Sequence, residues 1–262
     1  MTSFSSLWAE PTKDKCTMVA LDTHYQWMLP VCSLCLRAMV DVDIEAWTWG
    51  QHSFDPAVLD ACERLGVSVK RLPDTGQYCE GWESRHHALC VTEYRHVFML
   101  DVDTYVLADL PWLFHPLTAG MRLRAGEAWE NYTASAFAKF FGLEERQGGY
   151  TNYSVWFGEY DRGHEACREV LCRTSDLLGS GAGVYGAAGV VGDQDIRNGV
   201  LHALGCPIEP VEVRANAWQT LDEQLRAGYP IVHQAEKPLT MAAAEALTQK
   251  LLPILRRRTL VS

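Results

Sequence analysis

Basic residues are in short supply in this sequence. Lys and Arg number 23 against 33 Asp and Glu, a formal net charge of −10. A protein that coats DNA or RNA by neutralising phosphates needs the opposite surplus over a broad face, so that class is excluded, although a local basic groove is not. Long apolar runs are lacking too. The most apolar stretch, 27–36, is interrupted by Pro30 and Ser33 and falls far short of the roughly twenty residues that span a bilayer. The start, Met1-Thr2-Ser3-Phe4-Ser5-Ser6, has neither a basic n-region nor an apolar h-region, which predicts a cytoplasmic protein with no transmembrane segment. In that setting the sequons at Asn131 and Asn152 carry no weight.

Zinc-type cysteine pairs are missing as well. Cys32 and Cys35 form a C-x-x-C, but no second pair or histidine cluster completes it among the nine cysteines, which therefore read as small buried apolar groups. There is no repeat of fixed period and no low-complexity linker. What is present is an ordinary globular composition, 48% hydrophobic and 21% charged over 262 residues. Such a chain can bury a full core without staples, and one α/β domain over 1–262 is the expectation.

Short β-rich runs alternate with helical patterns through the first half. Strands are expected over 16–21, 44–49, 67–72 and 97–100, with helices over 27–39, 56–65 and 83–94 between them. That alternation implies parallel βαβ units and a mostly parallel sheet flanked by helices. Val97-Phe98-Met99-Leu100 is uninterrupted, as suits a central strand covered on both faces. Further on, a strand over 153–157, a glycine-rich loop over 179–192, a helix over 194–204, a short strand near Val211, a helix over 218–227, a strand at Ile231-Val232 and an amphipathic helix over 241–255 are expected. The basic end of that last helix, Arg256-Arg257-Arg258, either complements its dipole or makes a weak peripheral contact with an anionic surface.

The apolar run 97–100 ends in acid, Asp101-Val102-Asp103. Ligands of open α/β sheets bind outside the carboxyl ends of strands, and two aspartates there suit Mg²⁺ or Mn²⁺. Alone, the pattern is equally that of solvated turn carboxylates. Gly181-Ala182-Gly183-Val184-Tyr185-Gly186 matches G-x-G-x-x-G, but no strand precedes it, which argues against a dinucleotide fingerprint.

The flanks of the aspartate pair are more specific. Arg85 on the preceding helix, Thr92-Glu93-Tyr94 at its end, the Asp101-Val102-Asp103-Thr104 core and the exit Val106-Leu107-Ala108-Asp109-Leu110 together resemble the metal-binding segment of glycogenin-like enzymes. These are the retaining family eight glycosyltransferases of the GT-A fold. Further segments resemble the same family in the same order: Asp22-Thr23-His24-Tyr25 after the first strand, Gly192-Asp193-Gln194-Asp195, and His233 with Lys237-Pro238. The resemblance implies a transferase that moves a sugar from a nucleotide-diphosphate donor, UDP-linked by preference, to an acceptor hydroxyl with retention. The acceptor, whether glycan, lipid, protein or modified nucleic acid, stays open.

Carried over residue by residue, the resemblance makes Asp101, Asp103 and His233 ligands of Mn²⁺, with Mg²⁺ as the alternative ion. It sets Thr23 and Tyr25 against the base, assigns Arg85, Val102 and Lys237 to the donor, and brings Asp193 and Gln194 to the anomeric carbon. Departures are visible. Lys237 follows His233 by four positions where the family has six, arginine replaces lysine at 85, and the family's Asn-Ser-Gly segment is only suggested by Thr151-Asn152-Tyr153-Ser154-Val155. Its late arrival predicts an insertion around 115–150. Taken singly, His233 also reads as a core or surface histidine, Asp193 as a helix N-cap and Asp195 as a first-turn acid. The other reading of the whole is a nucleotide-sugar-binding domain without catalysis. A nucleotidyltransferase fits less well, because no glycine-rich basic loop lies between Leu21 and Pro30.

Overall fold

The computed structural model describes residues 5–48, 53–74, 84–125, 153–180, 193–211, 219–233 and 237–259. The first half runs β1 (Lys13–Leu21), α1 (Met28–Met39), β2 (Asp43–Thr48), α2 (Pro56–Arg64), β3 (Val67–Arg71), α3 (Ser84–Val91) and β4 (Tyr94–Asp101). The remainder supplies β5 (Thr104–Val106), β6 (Met121–Ala125), β7 (Tyr153–Asp161), α4 (Glu165–Gly179), α5 (Asp193–Leu204), β8 (Glu209–Val211), α6 (Leu221–Ala227), β9 (Ile231–His233) and α7 (Met241–Thr259). A seven-stranded sheet has the order β3-β2-β1-β4-β7-β6-β8. Its first four strands are parallel, and β7 is antiparallel to both neighbours. A separate ladder joins β5 to β9.

Strand order reverses at β1, with β2 on one side and β4 on the other, so a crevice opens where the two strands end. The strands alternate as their apolar pattern requires. Met18, Val97 and Met99 face one side with α3, α4 and α5, whereas Val19, Leu21, Phe98 and Leu100 face the other with α1 and α7. All of Val97, Phe98, Met99 and Leu100 are fully buried, as an apolar run without alternation predicts. Ala244, Leu247, Leu251 and Leu255 form the stripe by which α7 packs on the core, a helical period in a sequence that otherwise reads as surface. Among the described residues no helix is long and apolar enough to cross a membrane.

Local chemistry sets the element ends. Asp55 accepts from the Ala57 N–H and Pro56 opens α2, the usual N-terminal arrangement. Thr220 and Glu223 form a reciprocal capping box, so α6 starts after Thr220, later than the expected 218. Helix α3 stops at Val91 and Tyr94 opens β4, where the sequence predicts helix through 94. Arg162 explains the difference. It is 1% exposed and donates to the carbonyls of Leu89, Cys90, Thr92, Tyr94 and Ala9, satisfying the end of α3 and fixing its junction with β4. Part of the stretch expected as an insertion, Met121–Ala125, lies within the sheet between β7 and β8. Residues 126–150 and the glycine-rich stretch 181–192 lie outside the described residues.

Replacing Arg162 with Met leaves several of these buried carbonyls without a donor, at about 1–3 kcal/mol for each group left unsatisfied. R162M should lower the unfolding free energy by about 3 kcal/mol or more, and urea denaturation measures it. A loss below about 1 kcal/mol would show that the α3–β4 junction does not depend on this side chain.

Candidate active site

The end of β1 passes into a short turn, Thr23–Tyr25, which Asp22 caps by accepting from the His24 N–H at 2.7 Å. Thr23 is buried, whereas Tyr25 is 36% exposed. Beside it, β4 ends at Asp101, and the chain turns through Val102 and Asp103 directly into β5. The antiparallel ladder between β5 and β9 pairs Thr104 with His233. A histidine far along the chain is thereby set next to the aspartate pair. One ligand atom from each of Asp101, Asp103 and His233 lies within 4.8 Å of the others.

The donor set suits a divalent cation. Two carboxylates and one imidazole are ligands that Mn²⁺ and Mg²⁺ accept, the imidazole leaning toward Mn²⁺. His233 is 3% exposed, and among the described residues neither of its ring nitrogens has a hydrogen-bond partner, Nε2 lying 3.5 Å from Asp103 Oδ1. A buried imidazole left without partners costs free energy that a bound ion removes. Atoms bonded to one such ion at about 2.1 Å lie no more than about 4.2 Å apart, so the spacing of the three ligand atoms is of the right order for one ion.

Charges around this cluster are closely matched. Lys237 Nζ is 3.1 Å from Asp103 Oδ2 and 5.7 Å from the centre of the Tyr25 ring, so the His–Lys spacing of four still delivers the lysine to the metal-side carboxylate. Burial pushes the Asp103 carboxyl up, but His233 and Lys237 outweigh it and hold the group at about 2. Asp101 goes the other way. Burial and the neighbouring Asp103 raise it to about 6 against the pull of Arg85, so this carboxylate gains most from an added cation.

Arg85, one residue into α3, joins this cluster to the start of α5. Its Nη1 donates to Asp101 Oδ1, and its Nε is 3.0 Å from Asp193 Oδ2. Burial disfavours the guanidinium charge, yet Asp101 and Asp193 raise its pKa above the ordinary arginine value. Fully buried His86 places Nε2 3.1 Å from the same Asp193 oxygen. Burial lowers the His86 pKa despite Asp193, and an ionised carboxylate only accepts, so the neutral ring carries its proton on Nε2. The other Asp193 oxygen accepts from the Gln194 N–H at 2.9 Å. Helix α5 is held to β7 by Asn198, whose amide donates to Tyr153 O and accepts from Tyr153 N, and by Arg197 on the same carbonyl.

The sequence-predicted residues thus assemble largely as a unit. Asp101, Asp103 and His233 lie together, Lys237 reaches Asp103 and stands next to Tyr25, and Arg85 links Asp101 to Asp193. Val102 is buried between the two aspartates, and Thr23 is buried after β1. Gln194 is half-buried and Asp195 buried in the first turn of α5. Gly192, Thr151, Asn152 and residues 234–236 lie outside the described residues. Sequence reading missed His86 and Trp156. The latter stacks on His233 with centroids 4.3 Å apart and belongs to no motif or period, whereas His86 lies inside the family-like segment next to Arg85 with no role carried to it.

No protein-family profile and no curated protein matches the sequence. Solved structures match it in fold. The galactosyltransferase LgtC, solved in complex with donor and acceptor sugar analogues, matches with a TM-score of 0.56 at 13% identity over 94% of this chain and 96% of LgtC. The glycosyltransferase GlyE of Streptococcus pneumoniae matches at 0.53 with 14% identity, covering 94% of this chain and 63% of GlyE. The bifunctional glycosyltransferase WbbM reaches 0.58 at 12% identity over 87% of this chain, which spans only 46% of the WbbM chain. The architecture is therefore the GT-A glycosyltransferase fold, a mostly parallel sheet flanked by helices.

Asp193 shows how the site depends on charge pairing. Burial pushes its carboxyl up, but Arg85 and His86 outweigh this and lower it from 3.8 to about 2. A depressed carboxylate stabilises the fold above its unfolded pKa, here by about 2 kcal/mol, and loses that contribution as pH falls from about 4 toward 2. D193N should therefore cost about 2 kcal/mol at pH 7 and about half of that near pH 3, read by urea denaturation at both pH values. The same loss at both would refute an ionised, paired Asp193.

Proposed function

We propose that the chain is a metal-dependent glycosyltransferase that moves a sugar from a nucleotide-diphosphate donor, UDP-linked by preference, to an acceptor hydroxyl. The observation that supports this most is the Asp101–Asp103–His233 group, set at the carboxyl end of β4 in a GT-A fold with a buried imidazole lacking hydrogen-bond partners. The presence of galactosyl- and xylosyltransferases among the structural matches agrees with this class. The likeness of the aspartate segment to glycogenin-like family eight enzymes adds retention of anomeric configuration.

The roles proposed combine the family eight resemblance with the positions of the side chains. Asp101, Asp103 and His233 hold the ion, Mn²⁺ ahead of Mg²⁺. When bound, the ion supplies Lewis-acid stabilisation of the departing diphosphate. Lys237, 45% exposed and adjacent to Asp103, adds positive charge on the solvent side, where leaving phosphate oxygens gather charge. Tyr25 offers a ring face to the base, Thr23 closes the turn beneath it, and the main chain at Val102 lies along the donor between the two metal-binding carboxylates. Arg85 keeps Asp101 and Asp193 in register and lends positive charge between diphosphate and sugar.

Asp193 and Gln194 stand beside the anomeric carbon in this reading. The Asp193 oxygens already accept from Arg85, His86 and the Gln194 N–H. Its contribution is a fixed negative charge near a sugar that becomes cation-like, and half-buried Gln194 is left to contact the sugar directly. The eight described cysteines are all free, which favours a reducing compartment such as the cytoplasm.

A screen of UDP- and GDP-sugars with Mn²⁺, read by mass spectrometry of the released diphosphate, should find a donor that the native chain hydrolyses slowly without acceptor. D101N and D103N should each reduce that metal-stimulated hydrolysis by at least about a hundredfold. Undiminished turnover in both variants refutes the metal assignment. Tight donor binding with no turnover under any condition refutes the enzyme in favour of a nucleotide-sugar-binding domain.

A further inference from the structure

His233 meets a demanding requirement without the usual means. A metal-bound imidazole generally donates its second ring N–H to a carboxylate, a carbonyl or a water, and this bond fixes both tautomer and ring plane. Here Nε2 lies 3.5 Å from the ligand Asp103, and Nδ1, the nitrogen left to make that second bond, is buried with no hydrogen-bond partner among the described residues. The backbone of His233 is fixed by its pairing with Thr104, but the ring still rotates about its last side-chain torsion, which is soft in histidine. Something else must hold it.

Trp156 is in place to do so. The indole and imidazole rings are parallel within 6°, with centroids 4.3 Å apart. The indole itself is confined. It is buried, meets the Phe157 ring edge-on at 4.5 Å, and has the Arg124 guanidinium 5.2 Å from its centre. Register explains its location. Leu100 of β4 pairs with Phe157 of β7, so in an antiparallel ladder Trp156 falls level with Asp101, at the end of the sheet where the ligands gather.

We propose that Trp156 is the positioning residue of the metal site. Its flat face sets the plane of the His233 imidazole so that a ring nitrogen is directed to the space between Asp101 and Asp103, in place of the missing second hydrogen bond. Turning the imidazole away would drive its edge into the indole, so the stacked orientation is retained before the ion arrives. An aliphatic side chain of similar bulk fills the space without imposing a plane, whereas a phenyl ring preserves the flat contact.

The inference rests on the metal site of the proposed function, and its test measures metal binding alone. Mn²⁺ is titrated into the full chain while free ion is followed by electron paramagnetic resonance, with no donor present and with folding checked by circular dichroism. W156L should weaken Mn²⁺ binding by about ten- to a hundredfold, and W156F by less than about threefold. In a chain already carrying H233A, adding W156L should change affinity by less than about twofold, because the route through the imidazole is gone. Native affinity in W156L, or the same loss with His233 absent, overturns the inference while leaving the metal site standing. No Mn²⁺ binding by the native chain overturns both.

If W156L does not fold, W156F carries the test. Mg²⁺ should alter tryptophan emission in the native chain and leave it unchanged in W156F, although W156F still binds the ion with affinity within about threefold of native. An emission change that persists in W156F, or a Mg²⁺ affinity lost along with the indole, overturns the proposal.

Discussion

Three aspartates are drawn out of water at one end of the sheet, and the surrounding structure is arranged to make that tolerable. Bringing a carboxylate into a low-dielectric site costs several kcal/mol unless positive charge and hydrogen bonds meet it. Arg85 is shared between Asp101 and Asp193, Lys237 sits on Asp103, and His86 supports Asp193 as a neutral donor. The match is incomplete at Asp101, which remains raised to about 6. In a chain with net charge −10, three aspartates thus face two cationic side chains, Arg85 and Lys237, at one end of the sheet.

Holding Arg85 in place is a long-range task. Helix α3 has only eight residues, too few to be stable alone, and its end is secured by Arg162 from the far end of β7. That guanidinium stacks 4.2 Å over Trp8 while its N–H groups serve carbonyls on α3, β4 and the segment before β1. This buried arginine lies at the opposite end of β4 from the site and ties down the end of the helix that carries Arg85.

Much of the fold was legible in local pattern. Strands β1 to β4 and helices α1 and α2 show strong periodicity or uninterrupted apolar runs, and burial respected both. Helix α4 was missed because its inward positions include Cys167, Thr174 and Ser175 beside Val170, Leu171 and Leu178, which blurs the helical period. Strand β5 has only three residues, below the length at which alternation is readable, whereas the equally short β9 was expected from the apolar pair Ile231-Val232. The site followed the same division. The aspartate pair announces itself through its strand, and His233 and Lys237 were legible by resemblance. His86, Trp156 and Arg162 act through contacts across the sheet, and no spacing in the sequence encodes those.

The small β5–β9 ladder has a consequence for how this protein is made. Two of the proposed metal ligands arrive with β4, while the third waits for a strand near the other end of the chain, after β6, β7, α4 and α5 have been built into the sheet. Pairings of such large sequence separation form late, because the loop entropy of joining them comes before any reward. A nascent chain therefore carries Asp101 and Asp103 well before His233 can join them. The proposed ion site is complete only once the last segments have docked.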